Sequence, residues 1–308
     1  MKKVNEQNPK RRASLEQLFQ KEIEFIDNHL FHYYDLAFVE KAEATNGDEG
    51  GLDKLKDSVR YSLLSGGKRF RPLLVLLSSE VMAKPKEWVM PLAASIEFIH
   101  TYSLIHDDLP VMDNDDMRRG KPTNHKMFGE AMALLAGDAL LTEAFALLAR
   151  SYESRPDLGL RATSLVAEAA GTWGMVGGQA LDIEIHHRGS STEKMCRTHE
   201  LKTGALIRVS CEAAAVLCEA SLEEQVALRK YGENLGLAFQ LADDILDYDE
   251  AHPEPTSFVN CTSLSETQKF LERVTEEALQ SLKLFGDNRS LGLAGLADFN
   301  LQRTRNSH

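Results

Sequence analysis

Cysteine is sparse in this chain and positive charge is in deficit. The four cysteines, Cys196, Cys211, Cys218 and Cys261, form neither a CxxC pair nor a Cys/His ligand spacing. They read as reduced thiols of a cytoplasmic protein. Lysines and arginines number 35 against 47 aspartates and glutamates, a net charge of −12, which argues against nucleic acid as a general partner. No run of 18 uninterrupted apolar residues occurs, so no transmembrane segment is expected. The start, Met1-Lys2-Lys3-Val4-Asn5, is basic but leads into no apolar stretch, so a secretory signal is not expected either. Strand-like alternation of useful length and internal repeats are also missing. What remains is an even texture of 43% hydrophobic and 27% charged residues over 308 positions, ordinary for a globular chain. It predicts one domain over residues 1–308, with residues 1–12 a polar, frayed leader.

One stretch departs from that texture. Between Asp107 and Asp116 five aspartates fall within ten residues (Asp107, Asp108, Asp113, Asp115, Asp116), and Arg118-Arg119-Gly120 follows closely. Carboxylates about 5 Å apart repel by roughly 3 kcal/mol at an effective dielectric near 20, so a cation is the expected compensation. Grouped oxygen ligands suit Mg²⁺, which borrows further oxygens from substrate phosphates. The adjacent arginines fit the same picture, because guanidinium groups bind phosphate oxygens bidentately. A solvated acidic loop is the competing reading.

A second cluster decides between them. In Phe239-Gln240-Leu241-Ala242-Asp243-Asp244-Ile245-Leu246-Asp247 the residues Gln240, Asp243, Asp244 and Asp247 recur at +3, +4 and +7, one stripe of an α-helix. Three carboxylates among Leu and Ile are costly to bury unpaired. Two such clusters, more than a hundred helix-like residues apart, favour a shared metal–diphosphate site.

Helical apolar spacing is legible over most of the rest: 14–41, 52–65, 73–83, 90–106, 128–150, 160–185, 193–219, 222–247, 265–285 and 294–302. Residues 40–51, 151–159 and 252–256 read as loops. Gly66-Gly67-Lys68-Arg69-Phe70-Arg71-Pro72 reads as a turn between helices that presents three cations near a helix start. His100, Ser103 and Asp107 share a stripe, and Pro110 should end or bend that helix, which would let Asp113 reach back toward Asp107. Met175, Gln179 and Asp182 share another stripe. Lys202 in a largely apolar helix reads by itself as a snorkelling lysine. The expectation is an all-α fold, a large helical bundle around one central cavity.

Taken together, GGKRFRP (66–72), DDLPVMDNDDMRRG (107–120), GMVGGQALDIE (174–184), ELKTGALI (200–207) and FQLADDILD (239–247) resemble, in that order, the trans-isoprenyl diphosphate synthases, most closely the bacterial farnesyl diphosphate synthase group. Five ordered matches are far more specific than any single acidic motif. The resemblance implies the isoprenoid synthase fold, a homodimer, and a Mg²⁺-dependent prenyltransferase that joins isopentenyl diphosphate to dimethylallyl and geranyl diphosphates. By that resemblance Asp107, Asp108, Asp113, Asp243, Asp244 and Asp247 would hold about three Mg²⁺ ions. Arg118, Lys202 and Gln240 would help grip the allylic diphosphate; Lys68, Arg71, His100 and Arg119 would take that of isopentenyl diphosphate. Thr203 and Gln240 would face the reacting carbons. Tyr102, five positions before the first aspartate, with the smaller Ser103 beside it, would limit the product to fifteen carbons.

The chain departs from the family in one place. No lysine or arginine stands between Lys230 and Lys269, where the family carries a longer Gly- and Lys-rich loop after its second aspartate motif. That leaves a weakly active or non-catalytic synthase-like subunit as an alternative, beside a geranylgeranyl diphosphate synthase. A terpene cyclase fits less well, because the 66–72 turn implies a second diphosphate.

Overall fold

The computed structural model describes residues 9–39, 50–188, 192–249 and 257–305. Fourteen α-helices run through the described residues: α1 (Pro9–Tyr34), α2 (Gly50–Leu63), α3 (Phe70–Val81), α4 (Lys86–Asp107), α5 (Asn124–Phe128), α6 (Glu130–Ser151) and α7 (Pro156–Ala170), then α8 (Met175–Arg188), α9 (Thr192–His199), α10 (Ala205–Leu217), α11 (Leu222–Leu246), α12 (Phe258–Cys261), α13 (Leu264–Ser281) and α14 (Leu291–Arg305). The only strands among them, β1 (Met117–Arg118) and β2 (Lys121–Pro122), form a small antiparallel hairpin. The expected all-α bundle is the fold observed.

The centre of the bundle is set by helices that are buried over most of their surface. Ten of the twelve residues of α3, 14 of the 22 of α4 and eleven of the 13 of α10 are buried, as expected of helices inside a large core. Around them pack α6 against α4, α7 against α10, and α11 between α10 and α13. Helix starts follow local chemistry. Ser221 caps α11 with a reciprocal capping box, its Oγ accepting from Glu224 N while the Glu224 carboxylate accepts from Ser221 N. Ser263 caps α13 in the same way at its hydroxyl.

Several expected boundaries move. The helix read over 160–185 is two helices, because Gly171 and Gly174 interrupt it between α7 and α8; glycine costs roughly 1 kcal/mol in a helix interior. The helix read over 193–219 is broken differently, by a π-helical turn at Glu200–Gly204 that carries Lys202 and Thr203. Helix α1 starts before the expected Ser14, and the first part of the 1–12 leader, like residues 252–256, lies outside the described residues. One helix, α6, is long and apolar enough to cross a membrane by length and composition, and 39% of its apolar window is buried inside the protein.

Candidate active site

Helix α4 ends at Asp107, as Pro110 predicts, and the chain then folds back on itself. Asp113 N donates to Asp107 O at 2.9 Å, and Asn114 N to Leu109 O at 3.1 Å. The fold-back brings Asp113 beside Asp107 although six residues separate them. Burial pushes the Asp107 carboxyl up to about 6; Lys202 opposes the rise, while Asp113 and Asp108 add to it. Asp108 turns the other way. It is buried and accepts from Arg118 Nε at 2.9 Å and from its Nη2 at 2.5 Å, and Arg118 also reaches Asp115 at 3.0 Å. In this structure Arg118 is thus tied within the first aspartate segment.

The hairpin β1–β2 sets the direction of Arg119. Arg118 and Lys121 pair across a two-residue turn, Arg119-Gly120, both with positive φ (54° and 75°), as a type I′ turn requires. Arg119 then donates to Gly66 O and lies over Gly67, whose φ of 136° and lack of a Cβ leave room for the guanidinium. The 66–72 turn and the arginine pair therefore meet, through residues 53 apart in sequence.

The same turn yields a correction. Of its three cations, only Lys68 and Arg71 face outward or into the cavity. Arg69 is buried, bonded to Glu97 at 2.6 Å, Asp27 at 2.7 Å and Leu63 O at 3.1 Å. A buried charge needs such partners, so Arg69 belongs to the framework. Lys68 is exposed. Arg71 lines the main cavity with Nη1 3.4 Å from His100 Nε2, and its buried Nε has no hydrogen-bond partner among the described residues. Burial pulls the Arg71 guanidinium pKa down against Glu97 and Asp243. Burial, then Arg71, Arg119 and further arginines, hold His100 well below 6.5. The ring is therefore neutral and can accept from Arg71.

On the opposite side α11 carries the second cluster. Asp244 is buried and accepts from Phe258 N at 2.7 Å and from Gln240 Nε2 at 3.0 Å. Gln240 Oε1 in turn accepts from Thr203 Oγ1 at 3.1 Å, so the amide is fixed in one orientation. Asp247 is exposed and lines a cavity of about 140 Å³ with Asp244, Gln240, Lys202 and Thr203. Asp243 pairs with Arg303 of α14. Burial raises its carboxyl, and Arg303 and Lys68 oppose that rise.

The π-turn joins the two halves. Lys202 and Thr203 line both the 140 Å³ cavity beside Asp244 and a larger one, about 510 Å³, beside Asp107. Such turns are rare and concentrate at functional positions. The larger cavity is mainly apolar: Tyr102, Leu104, Leu109, Leu134, Val176 and Ile183 supply much of its wall, and Ser103 sits in it with its hydroxyl on His100 O at 2.9 Å. Lys202 is not a snorkelling lysine. Its Nζ donates to Asp182 Oδ2 at 2.5 Å, and Gly178 lets α8 approach the Lys202 backbone. Two partners were missed as site residues. Asp182 lay in view, three positions after Gln179 on the same stripe, but Arg303 gave no sequence signal, since only the packing of α14 brings it to Asp243.

Among the described residues, no three side chains of His, Cys, Asp or Glu converge closely enough to cage a metal ion by themselves. The donor set nevertheless fits a divalent cation. Asp107, Asp108, Asp243 and Asp244 are four desolvated carboxylates with raised pKa values, and a bound cation would relieve that cost.

Two acidic clusters joined through Lys202 and Thr203, the first of them beside an apolar cavity, are in an all-α bundle the arrangement of a helical prenyltransferase. The chain belongs to the polyprenyl synthetase family, whose model matches residues 52–256. It is 49% identical over 203 residues to the farnesyl diphosphate synthase of Geobacillus stearothermophilus, covering 65% of this chain and 68% of that one. It is 40% identical over 261 residues to a geranylgeranyl diphosphate synthase of Cyanophora paradoxa, covering 80% and 87%. The crystal structure of an FPP/GFPP synthase from Zymomonas mobilis superposes with a TM-score of 0.83 at 33% identity, over 94% of this chain and 99% of that one.

Proposed function

We propose that this protein condenses isopentenyl diphosphate with dimethylallyl and then geranyl diphosphate to give farnesyl diphosphate, in a Mg²⁺-dependent reaction. The observation that carries the reading is the pairing of two unlike anion sites across one cavity. One, at Asp107, would take a diphosphate through bound metal, and the other, around Arg71, holds a cation with an unpartnered buried nitrogen. A substrate pair with two diphosphates matches both.

Asp107, Asp108 and Asp113 on one side and Asp243, Asp244 and Asp247 on the other would hold the Mg²⁺, about three ions by family likeness. The metal supplies charge stabilisation for a diphosphate leaving group. Lys202, held by Asp182, and Arg118 add fixed positive charge there, which is worth most in a site shielded from water. Lys68, Arg71, His100 and Arg119 hold the second diphosphate. Thr203 and Gln240 present fixed dipoles toward the carbon that becomes cationic when the allylic C–O bond breaks. The apolar wall excludes water that would quench that cation. The isopentenyl double bond attacks it, and the proton lost afterwards goes to the departed diphosphate, so no side-chain base is needed.

The chain works as one domain and as a homodimer in the cytoplasm. Leu134 and Leu135 on α6, 46% and 50% exposed, supply an apolar face of the kind a second copy covers. The resemblance to geranylgeranyl diphosphate synthases keeps a twenty-carbon product as the second reading.

Product analysis by mass spectrometry tests the proposal. Purified protein is given Mg²⁺, isopentenyl diphosphate and, in turn, dimethylallyl, geranyl or farnesyl diphosphate. Farnesyl diphosphate as end product, lost with EDTA or with Asp243→Ala, is the expected outcome. A twenty-carbon product favours the second reading; no product from folded protein overturns the enzymatic one.

A further inference from the structure

The second aspartate cluster has no cation in its own stretch of chain. From 231 to 268 the sequence contains no lysine or arginine, while Asp243, Asp244, Asp247, Asp249 and Glu250 crowd together. A positive charge arrives instead from 60 residues further along the chain. Arg303, on the last turn of α14, places Nη2 on Asp243 Oδ1. Its Nη1 donates to Asn300 Oδ1 at 3.0 Å, and its guanidinium carbon lies 5.1 Å from the centre of the Phe239 ring. Phe239 packs in turn on Phe70, centroids 4.7 Å apart, next to Arg71. Arg303 therefore stands on a platform between the two anion sites.

We propose that Arg303 is a substrate-binding residue of the second-aspartate side. In the free protein its guanidinium is stored on Asp243, and it turns to an oxygen of the allylic diphosphate once that carboxylate is engaged. The inference rests on the prenyl-transfer reading above.

Three features separate this from a plain tie between α11 and α14. The guanidinium is held by an amide and a ring as well as by the carboxylate, so it stays tethered beside the site as it turns from Asp243. A planar guanidinium fixed in this way loses little freedom on meeting a phosphate. Its side chain is 15% exposed beside an Asp243 that is 31% exposed, so solvent reaches the pair. Arg305, two residues on, shows the contrast: it is 60% exposed and pairs with Glu272 on the surface.

Titration calorimetry with Mg²⁺ and inorganic pyrophosphate as the probe tests the idea on the intact protein. Wild type, Arg303→Gln, Arg303→Lys and the control Arg305→Gln are compared. Arg303→Gln is expected to weaken binding about tenfold or more, with Arg303→Lys recovering part of the loss and Arg305→Gln matching wild type. In steady-state assays the KM for geranyl diphosphate should rise while that for isopentenyl diphosphate stays within about twofold. Unchanged pyrophosphate binding with only a lowered Tm would make Arg303 a structural tie and overturn the proposal. A KM rise confined to isopentenyl diphosphate would overturn it by moving the residue to the other site. Failure of the wild type itself to bind Mg²⁺ and pyrophosphate would instead sink the prenyl-transfer reading.

Discussion

Arg71 Nη1 lies 3.4 Å from His100 Nε2, where α3 and α4 pack together at the wall of the main cavity. Two side chains that can each carry positive charge do not stand face to face at no cost. Burial and the surrounding arginines keep the imidazole neutral, and the guanidinium keeps an unpartnered Nε. The free protein thus holds a partly desolvated cation with fewer partners than it can use, a destabilising arrangement that an incoming anion would relieve.

That arrangement makes binding and stability pull in opposite directions at Arg71. Arg71→Met removes the cation but keeps much of its bulk. The KM for isopentenyl diphosphate should rise at least about tenfold, since a charge-assisted phosphate contact is lost. Unfolding free energy in urea should be unchanged or higher by about 1 kcal/mol. A variant that loses both substrate binding and several kcal/mol of stability would show that Arg71 belongs to the framework, as Arg69 does.

His100 gives the site a pH signature. Its folded pKa sits well below 6.5, so between that value and 6.5 the unfolded chain binds more protons than the folded one. The stability tied to the neutral ring is therefore present above pH 6.5 and is lost as pH falls toward the folded pKa. Urea unfolding at pH 7.5 and pH 5.5 should show wild type losing more stability over the interval than His100→Gln. Equal losses in the two proteins would remove His100 as the source.

Gly178 lets α8 press onto the backbone of Lys202, where an added Cβ would fall inside contact distance of main-chain atoms that cannot swing away. Gly178→Ala should therefore separate α8 from the π-turn and disturb the Asp182–Lys202 bond. The expected result is a loss of about 2 kcal/mol or more in stability together with a lower kcat, measured by urea unfolding and initial rates. Full activity with a native melting curve would mean the two elements slide apart freely.

How much of this could be read from residue order depends on whether a signal is local. The Asp107–Asp113 pairing was legible because Pro110 ends a helix for a steric reason, and the fold-back follows within six residues. Of the stripe Gln240–Asp243–Asp244–Asp247, helical period made Gln240, Asp244 and Asp247 legible as neighbours on one cavity, while Asp243 turns to Arg303. Arg69 misled because a cation at a turn looks like its neighbours, and its partners Asp27 and Glu97 lie 42 and 28 residues away. The π-turn at Glu200–Gly204 was invisible, since apolar spacing does not register one extra residue in a helical turn. Arg303 was invisible for the same reason as Arg69, because its meaning depends wholly on where α14 packs.

Tyr102 offers the sharpest test of how the cavity sets the product. Its side chain is buried in the cavity wall, its ring lies 5.7 Å from that of His106, and burial pushes its hydroxyl up to about 12. The hydroxyl thus stays neutral and the ring acts by volume. Tyr102→Ala should let the growing chain pass and shift the end product beyond fifteen carbons, at a stability cost of about 3 kcal/mol for the lost aromatic packing. Tyr102→Phe keeps the volume and should keep the product. The two variants separate size from chemistry in one mass spectrum, which matters because pocket differences of a methylene or two move specificity only modestly. A fifteen-carbon product from Tyr102→Ala would place the stop elsewhere on the same wall. Leu134 of α6 and Ile183 of α8 also line it, and the same assay would rank them.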